Sequence, residues 1–298
     1  MSDKPTIAFI GLGNMGGPMS AQLAQAKYTV HGFDLSDEAK QAAQQAGVTV
    51  FHTVAQACEA ADILITMLPN GALVEKVLTE AFDAGAQPEM CIDSSTIAVS
   101  EARELAHLVS GCGSAFIDAP VSGGVAGAEA GQLAFMVGGP EEDFQKAEPL
   151  FQVMGKTHTY CGPAGAGQAV KACNNMILAV QQTVLAEALV LGERLGLSHQ
   201  AFYDVVSNAT GNSWSLSVNC PVPEIVPNSP ANKDFQPGFS SQLMLKDLNL
   251  AMVSARETGT ATLLGSAVTE LFADFVEEGN GALDFSAIIS RVREAESS

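Results

Sequence analysis

Apolar residues come in short runs through the first half of the chain and in long ones through the second. Thr6–Ile10 (TIAFI) is a short apolar run that breaks at once into the turn GLGNMG. Pro18–Ala26 has helical spacing, and Val30–Phe33 reads as a second strand ending at Asp34. Apolar runs recur at Ile63–Met67, Cys91–Ile92, Phe116–Ile117 and Phe135–Val137. Helix-favouring stretches such as Ala39–Ala46 and Ser100–Leu108 fall between several of them. Strands alternating with helices predict βαβ units on a mainly parallel sheet. This organisation ends near Gly162.

Beyond it, residues 165–195 form one Ala/Leu/Val-rich stretch without proline, a predicted helix that is apolar on most faces and therefore expected to be buried. A helical pattern resumes over Ser198–Ser207. Residues 211–239 hold five of the 13 prolines and read as an extended loop. Helices are predicted over Ser240–Thr258 and Thr262–Glu278, with a short closing helix from Phe285. No internal repeat is visible. The expected fold class is α/β: a doubly wound sheet in residues 1–163, then an all-helical domain in residues 164–298, with 164–195 as the linking helix.

Composition narrows the possibilities. A chain of 298 residues suggests two domains, and a hydrophobic fraction of 47% is ample for two cores. Acidic residues outnumber basic ones 33 to 14, and no basic run occurs, which speaks against nucleic acid or an anionic membrane surface as partner. An acid-binding site on such a chain must be locally positive. The cysteines Cys58, Cys91, Cys112, Cys161, Cys173 and Cys220 are scattered with no C-x-x-C pair, so neither a zinc site nor a disulfide framework is expected. With no secretory-type leader and no uninterrupted apolar run of membrane-spanning length, the expected location is the cytoplasm.

Gly11, Gly13 and Gly16 supply G-x-G-x-x-G directly after a strand and at the mouth of a helix. The first glycine makes the tight turn, the second admits a pyrophosphate, and the third lets helix and strand pack closely. Asp34, at the end of the second strand, is placed to bond both ribose hydroxyls. Together these predict a Rossmann-type dinucleotide site in which Gly11, Leu12, Gly13, Asn14, Met15, Gly16 and Asp34 touch the cofactor. Asp34 would repel a 2′-phosphate and Leu35 offers no positive charge to receive one, which selects NAD over NADP.

On the long helix, Gln168, Lys171, Asn174 and Asn175 share one face at spacings of three and four. Their neighbours are almost wholly apolar, so Lys171 is not expected to be solvated. Burial lowers a lysine pKa because desolvation penalises the charged form, which suits acid–base work. The turn DAPVSGG, Asp118–Gly124, follows a strand and would expose backbone amides and the Ser122 hydroxyl at the carboxyl edge of the sheet, although a purely structural glycine turn accounts for it equally well. A hydrolase built on Ser122 would need a G-x-S-x-G elbow and a placed histidine, and neither is present. His31, His52, His107, His158 and His199 lack metal-ligand spacing, and no metal is expected. In LKDLNLA, Lys246 opens a helix and could equally be an ordinary exposed lysine.

The segments FIGLGNMG, ITMLP, IDSST, DAPVSGGVAGAEAG, FMVGG, GAGQAVKACNN, KDL and GNGALDFSAII together resemble the β-hydroxyacid dehydrogenase family, collinearly over nearly the whole chain. GNSWSLSVNCPVP looks like the loop of the branch acting on 3-hydroxyisobutyrate rather than the branch reducing tartronate semialdehyde. The resemblance implies oxidation of a small β-hydroxy acid by hydride transfer to NAD, with Lys171 as the catalytic lysine and Asn175 as its hydrogen-bonding support. It places Ser122, Gly123, Gly124, Asn174 and Lys246 at the substrate, and Leu68, Pro69, Thr96 and Lys246 against the cofactor. For the 3-hydroxyisobutyrate branch the product is methylmalonate semialdehyde, a step of valine catabolism. Two departures stand out: Gln132 where many relatives have threonine, and Glu224 where the branch often has glycine.

Rival readings stay in view. Phosphogluconate enzymes would call for more basic residues than five arginines readily supply, and imine reductases lack a lysine at position 171. A non-catalytic dinucleotide-sensing scaffold would have no need of Lys171, Asn175 and Ser122 together. The carboxy-terminal helices carry more exposed-looking Leu, Ala and Val than one small domain buries alone, so a homodimer or homotetramer is expected.

Overall fold

The computed structural model describes residues 4–295. The chain divides into two compact units, Met1–Lys171 and Ala172–Ser298, and the division falls inside the long helix Ala166–Arg194.

The first unit is built on strands β1 (Thr6–Ile10), β2 (Thr29–Phe33), β3 (Thr49–Val50), β4 (Ile63–Thr66), β5 (Met90–Asp93), β6 (Ala115–Asp118), β7 (Val121–Ser122), β8 (Leu133–Gly138) and β9 (Gly155–Gly162). They form one sheet in the order β3-β2-β1-β4-β5-β6-β8-β7, with β9 paired to β8. From β3 to β6 every pairing is parallel, and the chain reverses outward from β1 on both sides, leaving a crevice at the carboxyl ends of β1 and β4. The antiparallel pairings are β6 with β8 and β7 with β8, and β7 is the two-residue strand on which the Ser122 turn begins. Sequence patterning had no means of marking β3 and β7, because two residues are too short to show a period.

Helices cover both faces, which is why β4 and β5 are buried at every position and read as continuous apolar runs. One face packs Phe9, Phe135 and Phe151 with Met19 and Leu23, and the Phe135 and Phe151 rings lie 4.9 Å apart. The other packs Ile10, Leu64, Leu78 and Leu105.

The second unit is helical: the rest of the long helix, then His199–Val206, Ser241–Thr258, Leu263–Phe275 and Ile288–Glu294. Ser198, Ser213 and Ser240 each accept a backbone N–H at their helix starts, the capping that fixes where these helices begin. Residues between Trp214 and Phe239 are mostly irregular, interrupted by a helical turn at Trp214–Ser217 and a 3-10 turn at Pro230–Lys233. Buried Asp284 holds this loop, accepting from Gly238 N, Phe239 N and Asn219 Nδ2. Glu224 sits at φ 68°, a left-handed conformation that glycine adopts more readily than glutamate.

Two expectations need correction. The long helix is not buried on most faces: Val170, Ile177, Val184 and Leu191, seven residues apart, are 43%, 54%, 54% and 59% exposed. Its length and composition alone would also suffice to cross a membrane. Its inward residues Ala179, Leu185, Ala186 and Leu189 instead pack into the core of the second unit with Leu248, Phe272 and Ile288. Lys246, expected to open a helix, lies inside the helix Ser241–Thr258, more than a turn from its start.

Candidate active site

Gly11 follows β1 at φ 97°, and a Cβ there would fall 2.3 Å from the Met67 carbonyl oxygen. At Gly16 a Cβ would meet the Gly11 carbonyl oxygen at 1.9 Å, so the turn can bring helix Gly16–Gln25 this close to β1 only with glycine at both positions. Gly13 differs, because a Cβ there would meet nothing within 4 Å. Packing does not demand that glycine, whereas the close approach of a ligand would. The helix begins without a side-chain cap; Gly17 N donates instead to the Gly13 carbonyl at 2.8 Å, and Pro18 brings no N–H. Asp34 Oδ2 accepts Leu12 N at 2.7 Å and Oδ1 accepts Ser36 N at 2.8 Å. This fixes the carboxylate at the mouth of the turn with lone pairs to spare for hydroxyl donors. Leu12 is buried, Gly13 and Asn14 are exposed, and Met15 is half-buried, so the turn presents Gly13 and Asn14 outward. These features fit a dinucleotide.

The loops after β4 and β5 are joined. Leu68 N donates to Ser95 Oγ at 2.8 Å, Thr66 Oγ1 donates to Asp93 Oδ1 at 2.8 Å, and Ser95 N donates to the same oxygen at 3.1 Å. Among the described residues nothing donates to Asp93 Oδ2. Burial pushes the Asp93 carboxyl up to about 6 against those hydrogen bonds, with the nearby Asp118 adding to the rise. Leu68 and Thr96 are half-buried and Pro69 is exposed, so these three border the crevice.

Lys171 is 8% exposed, and its Nζ donates to the Val121 carbonyl at 2.9 Å. That bond sets the amino group beside the Ser122–Gly124 turn, where Gly123 and Gly124 adopt φ 131° and 62°. The Ser122 side chain is half-buried. A basic group and a turn of backbone amides thus meet at the carboxyl edge of the sheet, a local positive environment on a chain of net charge −19.

In the second unit, Asn174 Nδ2 donates to Asn175 Oδ1 at 2.9 Å, and Asn175 Nδ2 donates to Asp247 Oδ2. Lys246 Nζ lies 4.0 Å from Asp247 Oδ1. Asn175 and Asp247 are buried, while Asn174 is exposed and the Lys246 side chain is partly so. Asn175 follows Lys171 by four residues, and the division between the two units falls between them.

Asp247 was missed from the sequence, although its signal was present in the KDL segment: an acid among apolar neighbours on a helix. From the sequence Asp118 shows only as the start of a turn. It is fully buried and accepts Gly165 N at 2.7 Å and Gln168 N at 2.9 Å. Among the described residues no group of three or more His, Cys, Asp or Glu side chains is arranged to hold a metal ion.

Two family models match the chain. Residues 6–162 match the NAD binding domain of 6-phosphogluconate dehydrogenase, and residues 165–292 match the NAD-binding domain of NADP-dependent 3-hydroxyisobutyrate dehydrogenase. A probable 3-hydroxyisobutyrate dehydrogenase of Mycobacterium tuberculosis is 51% identical over 97% of this chain and 98% of its own length. An NAD-dependent L-serine dehydrogenase of Pseudomonas aeruginosa is 40% identical over 95% of this chain and 96% of its own. The solved structure of the Mycobacterium tuberculosis 3-hydroxyisobutyrate dehydrogenase with L-serine superposes with a TM-score of 0.93 at 51% identity, covering 97% of this chain and 99% of that one.

Proposed function

The chain belongs to the β-hydroxyacid dehydrogenase family, and from that membership we propose that it oxidises 3-hydroxyisobutyrate to methylmalonate semialdehyde with NAD. The observation that carries this reading is the buried Lys171 Nζ held on the Val121 carbonyl, beside the Ser122–Gly124 turn and on a unit with a dinucleotide-shaped glycine loop. When bound, NAD supplies the acceptor for the hydride that leaves the hydroxyl-bearing carbon. Gly11–Gly16 would hold its pyrophosphate and Asp34 its ribose, and Leu68, Pro69, Thr96 and Lys246 would lie against it.

Lys171 takes the hydroxyl proton in oxidation and returns it in reduction. The Val121 carbonyl accepts one N–H of its amine, which orients the group. Ser122 Oγ and the amides of Gly123 and Gly124 receive the substrate carboxylate. Asn175, directed by Asp247, supports Lys171 one turn along the helix. Asn174 and Lys246 contribute to substrate binding, and Lys246 balances the carboxylate charge.

The Asp34 carboxylate at the ribose position favours NAD, although the family model of the second unit is described as NADP-dependent. The GNSWSLSVNCPVP loop supports 3-hydroxyisobutyrate as the preferred acid, and the six free cysteines agree with a reducing cytoplasm. A homodimer or homotetramer is the assembly we infer, because the seven-residue stripe Ile177, Val184, Leu191 is exposed on a long helix.

NADH formation measured with 3-hydroxyisobutyrate, L-serine and glycerate tests the reading. The highest kcat/KM is expected for 3-hydroxyisobutyrate, and faster turnover of glycerate or serine would overturn the substrate assignment. An apolar methyl site should discriminate by roughly tenfold to a few hundredfold.

A further inference from the structure

Three segments of the first unit converge on one carboxylate. Asp118 ends β6, its side chain is fully buried, and its two oxygens accept Gly165 N and Gln168 N at the start of the long helix. Gly138 ends β8, and a Cβ there would meet Asp118 Oδ1 at 2.5 Å. At Gly167 a Cβ would meet the Met136 carbonyl oxygen at 2.3 Å and Asp118 Oδ2 at 2.8 Å. The glycines of FMVGG and GAGQ therefore form the walls of a slot that admits the helix start and this carboxylate, and larger residues would force them apart.

Gln168 then ties the same helical turn to the neighbouring loop. Its Nε2 donates to the Ser95 carbonyl at 2.8 Å, and its Oε1 accepts Ile97 N at 3.2 Å. Thr96 lies between those two residues. Lys171 follows Gln168 by three residues, and its Nζ is fixed on Val121, three residues after Asp118. One helical turn is thus pinned to the loop carrying Thr96 and to the segment carrying Ser122.

We propose that Asp118 and Gln168 are positioning residues that set the placement of Lys171 relative to the Thr96 loop and the Ser122 turn, a step that rests on the catalytic role assigned above to Lys171. Neither need touch the reactants. Asp118 holds the helix start by its backbone, and Gln168 fixes its rotation about the axis. An error of about 1 Å in such a placement costs on the order of a hundredfold in rate.

The test uses the full-length enzyme with the variants Asp118→Asn, Gln168→Met and Lys171→Ala, and the doubles Asp118→Asn/Lys171→Ala and Gln168→Met/Lys171→Ala. Asp118→Asn turns one acceptor into a donor facing an N–H, and Gln168→Met keeps the length of the side chain while removing both hydrogen bonds. Each single variant is expected to lose about tenfold to a thousandfold in kcat per folded site, with KM for NAD within about threefold of wild type. In the Lys171→Ala background neither should cost anything further, because a positioning residue has no effect once its target is gone. Amide hydrogen exchange of the apo-protein should rise in Gly165–Lys171 and stay unchanged in β1 and β2. Equal losses in the presence and absence of Lys171, or kcat within twofold of wild type for both single variants, would overturn the proposal. Should Asp118→Asn fail to fold, the Gln168 arm decides alone. Should wild type form no NADH at all, the reading of the reaction fails, and unchanged exchange at Gly165–Lys171 in the variants then rejects the clamp as well.

Discussion

The Asn175 side-chain amide donates to the Asp247 carboxylate across two helices of the second unit. Both groups are nearly inaccessible to solvent, so the bond fixes which way the Asn175 amide faces. Asp247→Ala should leave a buried amide undirected and lower kcat by about tenfold to a hundredfold, with the dissociation constant for NADH within about threefold. Steady-state kinetics alongside NADH fluorescence titration separates the two effects.

Lys171→Ala should still bind NADH, because the glycine turn and Asp34 are held by their own hydrogen bonds. Turnover should fall by about two to four orders of magnitude. Lys171→Arg should not restore it, since a guanidinium does not give up its proton at working pH. Near-wild-type turnover in Lys171→Ala would move the proton-handling role to another residue.

Cofactor choice follows from Asp34. Its carboxylate lies at the mouth of the glycine turn, and the neighbouring Leu35 is 87% exposed and uncharged. NAD should exceed NADP by at least roughly tenfold in kcat/KM, a difference of about 1.4 kcal/mol. Asp34→Ala combined with Leu35→Arg should narrow the gap. Equal efficiencies in the wild type would contradict the reading.

Asp93 predicts a dependence of stability on pH. Burial pushes its carboxyl up to about 6, above its value in the unfolded chain, so the folded protein binds the proton more tightly. The resulting stabilisation is complete below a pH of about 4 and is lost as pH rises through about 6. Urea unfolding between these limits should show stability falling by on the order of 2 kcal/mol, and Asp93→Asn should flatten the change. Asp118, also raised by burial, keeps a remaining slope in the variant.

Assembly can be tested on the exposed stripe of the long helix. Ile177→Asp or Val184→Asp should shift the light-scattering mass toward the 30.9 kDa of one chain, at micromolar concentration and with helicity preserved. A wild type that is already monomeric would refute the inferred oligomer.

Much of this architecture is legible in the order of residues. Strands β1, β4, β5 and β6 announce themselves as apolar runs because both faces of the parallel part of the sheet are covered. The glycine turn is legible because Gly11 and Gly16 each answer a local steric demand, and helix starts are legible because serine caps act within one turn. The seven-residue stripe was also written in the chain. Whether it was buried or exposed was not, since an apolar residue carries no mark of which partner will cover it.

What the sequence determined by itself are the local matters: the alternation of strands and helices, the tight turn at Gly11–Gly16, the acid at Asp34, and the shared helix face of Gln168, Lys171 and Asn175. These depend on neighbours within a few residues, where spacing and backbone sterics decide the outcome. The tertiary structure alone decided that Lys171 meets Val121, that Asn175 meets Asp247, and that Asp118 receives the helix start between Gly138 and Gly167. Those pairings join residues from 20 to more than 70 positions apart. Hydrogen bonds of this kind form only after hydrophobic burial has brought their strands and helices together, so no local pattern encodes them.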